Sequence, residues 1–225
     1  VFGRGKSSRK GMTSVCIIVP TYNEKDNLPI LVESIFRIGL PNVEILVVDD
    51  NSPDGTGYIA DNLAQIYPVR VLHREKKEGL GRAYAAAFQT VLGSDVDEKP
   101  DIIIHMDADL SHDVSVIPTM LEWVKEYDIV LGSRYVRGGK TINWSFKRRM
   151  ISRLANTYTR VVLNMPYRDM TSGFKCYQRH VLESIIASGL DSVGYCFLTE
   201  TTFKAHNKGY KIKEVPISFM KRKGG

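Results

Sequence analysis

The chain has 225 residues, of which 43% are hydrophobic and 25% charged, and carries a formal net charge of +6 at neutral pH, a balance that fits a globular protein with a sizeable core. No apolar run approaches the roughly 18 to 20 residues that span a bilayer and the first residues lack the apolar core of a signal peptide, so neither an integral nor a secreted protein is expected. Cys16, Cys176 and Cys196 are far apart, odd in number and without Cys-X-X-Cys spacing, which argues against a disulfide framework or a zinc site and fits a reducing compartment.

Residues 1–11 hold Arg4, Lys6, Arg9 and Lys10 among Gly and Ser and read as a basic arm or cloning remnant outside the fold. Short, continuous, β-branched runs follow at Val15 to Val19, Val43 to Val48, Val69 to Leu72, Ile102 to Met106 and Ile129 to Leu131. Between them, helical patterns cover Asn27 to Ile38, Thr56 to Tyr67, Leu80 to Leu92 and Val114 to Tyr127. Continuous apolar strands alternating with amphipathic helices predict an α/β, Rossmann-like unit whose mainly parallel sheet is flanked by helices. After Arg134 come a long basic helix near Trp144 to Leu163, a strand at Phe174 to Tyr177 and helices at Val181 to Ser188 and Cys196 to Asn207. Strands near Tyr210 to Lys213 and Pro216 to Met220 complete the pattern. No Pro- or Gly-rich linker divides the halves, so residues 12–225 are read as a single domain, with Lys221-Arg222-Lys223 ending abruptly enough to suggest a truncated loop.

In a parallel α/β sheet, ligands bind beyond the carboxyl ends of the strands. Asp107-Ala108-Asp109 follows the fourth run directly, and two carboxylates there can hold a divalent cation against a diphosphate. On its own, Asp-X-Asp is equally good turn chemistry. Pro20-Thr21-Tyr22-Asn23-Glu24 and Asp49-Asp50-Asn51-Ser52-Pro53-Asp54-Gly55-Thr56 leave the first two strands at the same edge. Tyr22 offers an aromatic face to a base, and carboxylates accept from base N–H or ribose hydroxyls. Asn51, Ser52 and Asp54 are assigned mainly to turn and cap, Asp50 mainly to ligand. The five histidines lack metal-ligand spacing: His105 is expected to point from a buried strand and His112 to shape the acidic pair. Gly79-Leu80-Gly81 is not a Walker motif and reads as a helix start. Asp169, Thr171 and Glu200 are candidates for contact with a ligand, which capping and packing explain equally well.

The order of these motifs carries a resemblance from Ser14 to Gly225. Val19-Pro20-Thr21-Tyr22-Asn23-Glu24, Asp49 to Thr56, Gly79 to Ala83, Met106 to His112, Gly132-Ser133-Arg134-Tyr135, Lys147 to Arg153 and Glu214 to Phe219 resemble the dolichyl-phosphate mannosyltransferases, also called polyprenol-phosphate mannose synthases, an inverting family-two glycosyltransferase group. The resemblance implies a GT-A fold and a nucleotide-sugar pocket lined by Pro20, Tyr22, Glu24, Val48, Asp50, Asp107, Ala108 and Asp109. It implies Mg²⁺ or Mn²⁺ on Asp109, Asp107 and Ser111, with Ser standing where the family often has Gln. Arg134, Arg148 and Arg222 match basic positions at the donor and acceptor phosphates. The implied reaction moves mannose from GDP-mannose to dolichyl or another polyprenyl phosphate. Because that phosphate is already largely anionic at neutral pH, no dedicated general base is expected.

Met150, Ile151, Leu154, Tyr158, Val161 and Val162 recur at helical spacing beside Arg149, Arg153 and Arg160. The pattern allows either an ordinary helix burying its stripe or a basic amphipathic helix, opened by Trp144 and Phe146, resting on an anionic membrane. The second choice places the protein peripherally at the cytoplasmic face of a membrane, the endoplasmic reticulum in a eukaryote, with a membrane-anchoring subunit as a compatible partner. A UDP-glucose-dependent polyprenyl-phosphate glucosyltransferase and a non-catalytic nucleotide-binding module are the rivals. Nucleic acid is disfavoured as a partner, since much of the positive charge sits in the arm and one helix rather than along a groove.

Overall fold

The computed structural model describes residues 13–93, 96, 98–190, 192 and 194–221; the basic arm and Arg222 lie outside the described residues. Strands β1 (Val15–Thr21), β2 (Val43–Asp49), β3 (Val69–His73), β4 (Ile102–His105) and β5 (Ile129–Ser133) fall on the five apolar runs. Four extend further than expected, and β4 stops one residue earlier, at His105. Helices α1 (Leu28–Arg37), α2 (Thr56–Ile66) and α3 (Leu80–Leu92) connect the early strands. The single helix expected over Val114 to Tyr127 is instead a 3₁₀ turn at Val114–Val116 followed by α4 (Ile117–Trp123). Asp113 accepts from Ser115 N and caps the turn, and Pro118, lacking an N–H, sits in the first turn of α4, where that donor has no intrahelical partner.

The second half contributes β6 (Lys140–Ile142), α5 (Phe146–Val162), β7 (Lys175–Gln178), α6 (Arg179–Ala187), α7 (Cys196–Asn207), β8 (Ile212–Pro216) and β9 (Ser218–Met220). β6 is an element the sequence pattern did not reveal. The main sheet has the order β3-β2-β1-β4-β7-β5-β8, so both halves of the chain share it. All its pairings are parallel except those of β7, which runs antiparallel to β4 and β5. After β5 the chain spends β6 and α5 at the carboxyl edge of the sheet and re-enters from there, so β7 must run downward.

Alternation along β1 shows why both faces are covered. Val15, Ile17 and Val19 enter one core with Leu28, Leu31 and Ile35 of α1 and Met120 of α4. Cys16 and Ile18 enter the other with Tyr84 and Phe88 of α3, Val181 of α6 and Phe197 of α7. Full burial of each such side chain stabilises by roughly 1.5–3 kcal/mol, and successive strand residues point to opposite faces.

A polar cluster sits within the second core. His105 Nδ1 lies 2.9 Å from the Gly173 carbonyl and Nε2 3.0 Å from Tyr177 Oη. A carbonyl only accepts, so Nδ1 carries the proton. Lys175, wholly buried on β7, donates to the Leu198 carbonyl and to the hydroxyls of Thr201 (3.2 Å) and Thr202 (2.8 Å), tying β7 to α7. Burial pushes its pKa down to about 7, against the opposing pull of Asp169.

A lysine with a folded pKa below its unfolded value binds fewer protons when folded, so stability rises with pH between the two values. The unfolding free energy is expected to increase by about 1 to 2 kcal/mol from pH 7 to 8.5 through this group. Above that, the thiols of Cys16 and Cys176, which burial pushes up, act in the opposite sense. Denaturant unfolding of wild type and Lys175→Met across this window checks it: the difference between the two curves carries the Lys175 slope, and parallel curves would refute it.

Candidate active site

The parallel strands deliver two groups of side chains to one edge of the sheet. The first lies at the ends of β1, β2 and β3. Asp49 organises it, accepting from Thr21 Oγ1 (3.0 Å), Ser52 N (3.0 Å) and Ser52 Oγ (2.6 Å). Asn51 adopts φ +56° and donates to the Glu75 carbonyl, while Asp54 accepts from Thr56 N and Oγ1. These residues hold the turn, as expected for Asn51, Ser52 and Asp54. Glu24 serves locally too, accepting from Asn27 Nδ2 at 2.7 Å at the start of α1. Val48 is wholly buried, its side chain in the α3-side core. Pro20 is only partly buried at the end of β1.

Tyr22 and Asp50 remain toward the edge, each already engaged by the segment after β3. Arg74 forms a 2.5 Å ion pair with Asp50, both side chains being about one-tenth exposed. Lys77 Nζ stands 3.7 Å from the centroid of the Tyr22 ring. Burial raises the Asp50 pKa, and the hydrogen bond and charge of Arg74 work against that rise. The sequence reading did not single out Arg74 and Lys77 as neighbours of Asp50 and Tyr22. Nothing in a charged loop reveals which of its charges folds back.

The second group surrounds a cavity of about 500 Å³. Asp107, Asp109 and His112 enter it from the loop after β4, Arg134 from the end of β5, and Trp144 and Arg148 from the start of α5. Thr171, Ser172 and Gly173 come from the segment before β7, Tyr195 and Leu198 from around α7, and Phe219 and Lys221 from the final strand. Leu110 at φ +59° turns the acidic loop back, and Asp109 Oδ1 accepts from Ser111 N at 3.0 Å. Ala108 is buried between the two carboxylates in sequence. β9 closes the loop from above, with Met220 N donating to the Ser111 carbonyl at 2.9 Å. Gly173 abuts Asp107 so closely that a Cβ there would stand 3.2 Å from a carboxylate oxygen.

Metal fit follows from the donor set. Asp107 and Asp109 are hard oxygen donors, and Ser111 Oγ is buried with no hydrogen-bond partner among the described residues. No trio of His, Cys, Asp or Glu converges on one point among the described residues. The two carboxylates offer hard oxygens of the kind that suit Mg²⁺ or Mn²⁺. His112 is packed between Phe174 and Phe219. Burial lowers its pKa despite the upward pull of Asp107 and Asp109.

Arg134 is clamped by Asp169. Its Nε and Nη2 donate to the two carboxylate oxygens at 2.7 and 2.6 Å, and Nη2 reaches Thr171 Oγ1 at 2.8 Å. Burial opposes its charge, but the bonds and charge of the wholly buried Asp169 outweigh that, so its pKa rises. Arg148 is exposed and stacks 4.1 Å from the centroid of Trp144, with Arg134 5.8 Å from the same indole. Trp144, for which a membrane interface was one of two alternatives, is only 8% exposed and lines the cavity. Of the residues left as capping or packing, Asp169 and Thr171 belong to the site. Glu200 lies in α7, bonded to Ser192 N and paired with Lys204.

The glycosyl transferase family 2 model matches residues 16–186. The polyprenol monophosphomannose synthase of Mycolicibacterium smegmatis is 45% identical over 93% of this chain and 78% of its own length. The undecaprenyl-phosphate mannosyltransferase of Micrococcus luteus is 42% identical over 94% of this chain and 85% of its own. Among solved structures, a mannosyltransferase from Pyrobaculum calidifontis in complex with GDP-Man and Mn²⁺ aligns with a TM-score of 0.66 at 20% identity, covering 92% of this chain and 56% of that one. With its GT-A architecture and these relatives, the chain belongs to glycosyl transferase family 2 and, within it, to the polyprenol-phosphate mannose synthases.

Proposed function

We propose that the protein transfers mannose from GDP-mannose to dolichyl or another polyprenyl phosphate, with inversion at the anomeric carbon. The observation that carries this reading is a single cavity in which the Asp107/Asp109 pair meets two arginines gathered around one indole. Such a cavity can take a nucleoside diphosphate and an anionic acceptor together, because fixed positive charge offsets their repulsion. Mannose and the polyprenyl class are supported by the names of the relatives, and the donor and metal by the Pyrobaculum complex with GDP-Man and Mn²⁺.

In this reading Tyr22 stacks on the base and Asp50 accepts from its N–H groups or from ribose. Asp107 and Asp109, with Ser111, would hold Mg²⁺ or Mn²⁺, which when bound supplies positive charge to the departing diphosphate. Arg134, fixed by Asp169, and Arg148, resting on Trp144, hold the acceptor phosphate behind the sugar, and Arg222 adds a further positive charge. The acceptor oxygen arrives ionised, so alignment replaces proton removal.

The acceptor's lipid tail requires an apolar surface, and α5 supplies one. Met150, Ile151, Leu154, Tyr158, Val161 and Val162 are all exposed, Leu154 to 62% and Val161 to 74%, whereas Asn156 is the helix's one buried residue. The alternative of a stripe packed into the core is thereby corrected. Phe146 is exposed at the same helix's start, with Lys147, Arg149 and Arg153 exposed nearby. Apolar side chains bordered by positive charge suit an anionic membrane surface. No helix among the described residues is long and apolar enough to cross a membrane. The protein on this reading sits peripherally at a cytoplasmic membrane face, where a membrane-anchoring subunit is a compatible partner.

Radiolabelled mannose is expected to pass from GDP-mannose to dolichyl phosphate with Mg²⁺ or Mn²⁺. Asp109→Ala should lower the rate on the order of 100-fold or more, the scale of losing a group that stabilises developing charge. Glucose transfer from UDP-glucose instead would replace the donor assignment, and nucleotide binding without any transfer would identify a non-catalytic module. In sedimentation with anionic vesicles, replacing Lys147, Arg149 and Arg153 by Gln should weaken binding by about two orders of magnitude, at roughly 1 kcal/mol per charge near the surface. Unchanged sedimentation would remove α5 from the membrane.

A further inference from the structure

α5 reverses the usual order of an amphipathic helix: its apolar stripe faces outward, and the side chain it buries is polar. Asn156, 2% exposed, lies on the opposite face and donates from Nδ2 to Thr171 Oγ1 at 3.1 Å. That hydroxyl also accepts from Arg134 Nη2 at 2.8 Å, and its proton points to Asn156 Oδ1 or Asp169 Oδ1, each 3.5 Å away. A threonine hydroxyl has two lone pairs and one proton. All three are spent joining the helix to the arginine. A second tie, from Tyr135 Oη to Ser152 Oγ at 2.7 Å, holds the neighbouring turn of α5 to the residue after Arg134.

Arg148, by contrast, is fixed by α5 itself. It lies in the helix's first turn, its backbone N–H capped by Ser145 Oγ at 3.3 Å, and its guanidinium rests on Trp144. The separation of the two arginines thus depends on where α5 sits relative to Arg134. We propose that Thr171 and Asn156 are positioning residues that register α5 against Arg134, so that the two guanidinium groups close on one acceptor phosphate. This inference rests on the reading of the cavity as an acceptor site. It assigns the two residues a larger effect on acceptor binding than on the nucleotide, whose Tyr22 and Asp50 belong to other elements.

The test uses the whole chain with farnesyl phosphate as a short acceptor, measuring its equilibrium binding and, separately, acceptor and donor KM for mannose transfer. Thr171→Val keeps the shape of the side chain but removes the hydroxyl. It should weaken farnesyl phosphate binding and raise acceptor KM about tenfold, the scale of one charge-assisted hydrogen bond, while donor KM moves less than about twofold. Asn156→Ala should follow it, and Thr171→Ser, which keeps the hydroxyl, should restore acceptor affinity. In an Arg148→Ala background Thr171→Val should lose most of its effect, because no second guanidinium remains to be registered. Thermal unfolding of each variant identifies any that fail to fold, and the remaining variants then decide the question. Acceptor binding unchanged in Thr171→Val and Asn156→Ala, equal rises in donor and acceptor KM, or full additivity with Arg148→Ala would overturn the positioning role. If wild type neither binds farnesyl phosphate nor transfers to it, the acceptor-site reading itself fails, and this inference fails with it.

Discussion

The direction of β7 governs what this molecule can do. Lodged between β4 and β5 and antiparallel to both, it begins at the edge where the parallel strands end, so the segment leading into it lies across that edge. Asp169, Thr171, Ser172 and Gly173 therefore reach the loop after β4 and the end of β5. Lys175, buried among three acceptors on α7, and His105, bonded to the Gly173 carbonyl, hold this arrangement from below. A parallel β7 would send the same residues to the opposite edge. Arg134 would then lack its carboxylate and Asp107 the glycine that lets backbone approach it.

Charge in the cavity is distributed by burial rather than by number. Asp169 is wholly buried and spends itself on Arg134, whereas Arg148 at the same cavity is exposed. A buried ion pair contributes little net stability, because desolvation offsets its attraction. The value of the Arg134–Asp169 pair lies in fixed orientation: two parallel N–H to oxygen bonds define the guanidinium plane. At the ends of β1 and β2, Arg74 pairs with Asp50 and Lys77 lies over the Tyr22 ring.

α5 joins the cavity to the outside. With a polar side chain turned inward and its apolar stripe turned outward, it is attached to the domain through hydrogen bonds more than through packing. Apolar side chains at this density cost free energy in water and gain it at a lipid surface. The same helix carries Arg148 in its first turn. Surface and site are consequently parts of one rigid element, with Asn156 and Thr171 as its register.

The sequence by itself determined the first five strands and the first three helices, because strand burial on both faces writes continuous apolar runs and helices write a 3.6-residue period. The bounds of α3 and α7 could be read residue for residue from their patterns. Asp107, Asp109, Tyr22 and Asp50 were legible because polar residues directly after an apolar strand must emerge at the carboxyl edge. Tertiary structure alone decided the rest. Parallel and antiparallel strands of four residues share one alternation, so β7 gave no sign of its direction, and without it Asp169 and Thr171 looked like caps. Arg74 and Lys77 fold back through a loop that has no period to read. Trp144, for which a membrane interface was one alternative, is buried by neighbours distant in sequence. For α5, periodicity established that the helix has two faces, but which face meets the protein depends on the partners available, and those partners are Thr171 and Tyr135, far away in the chain.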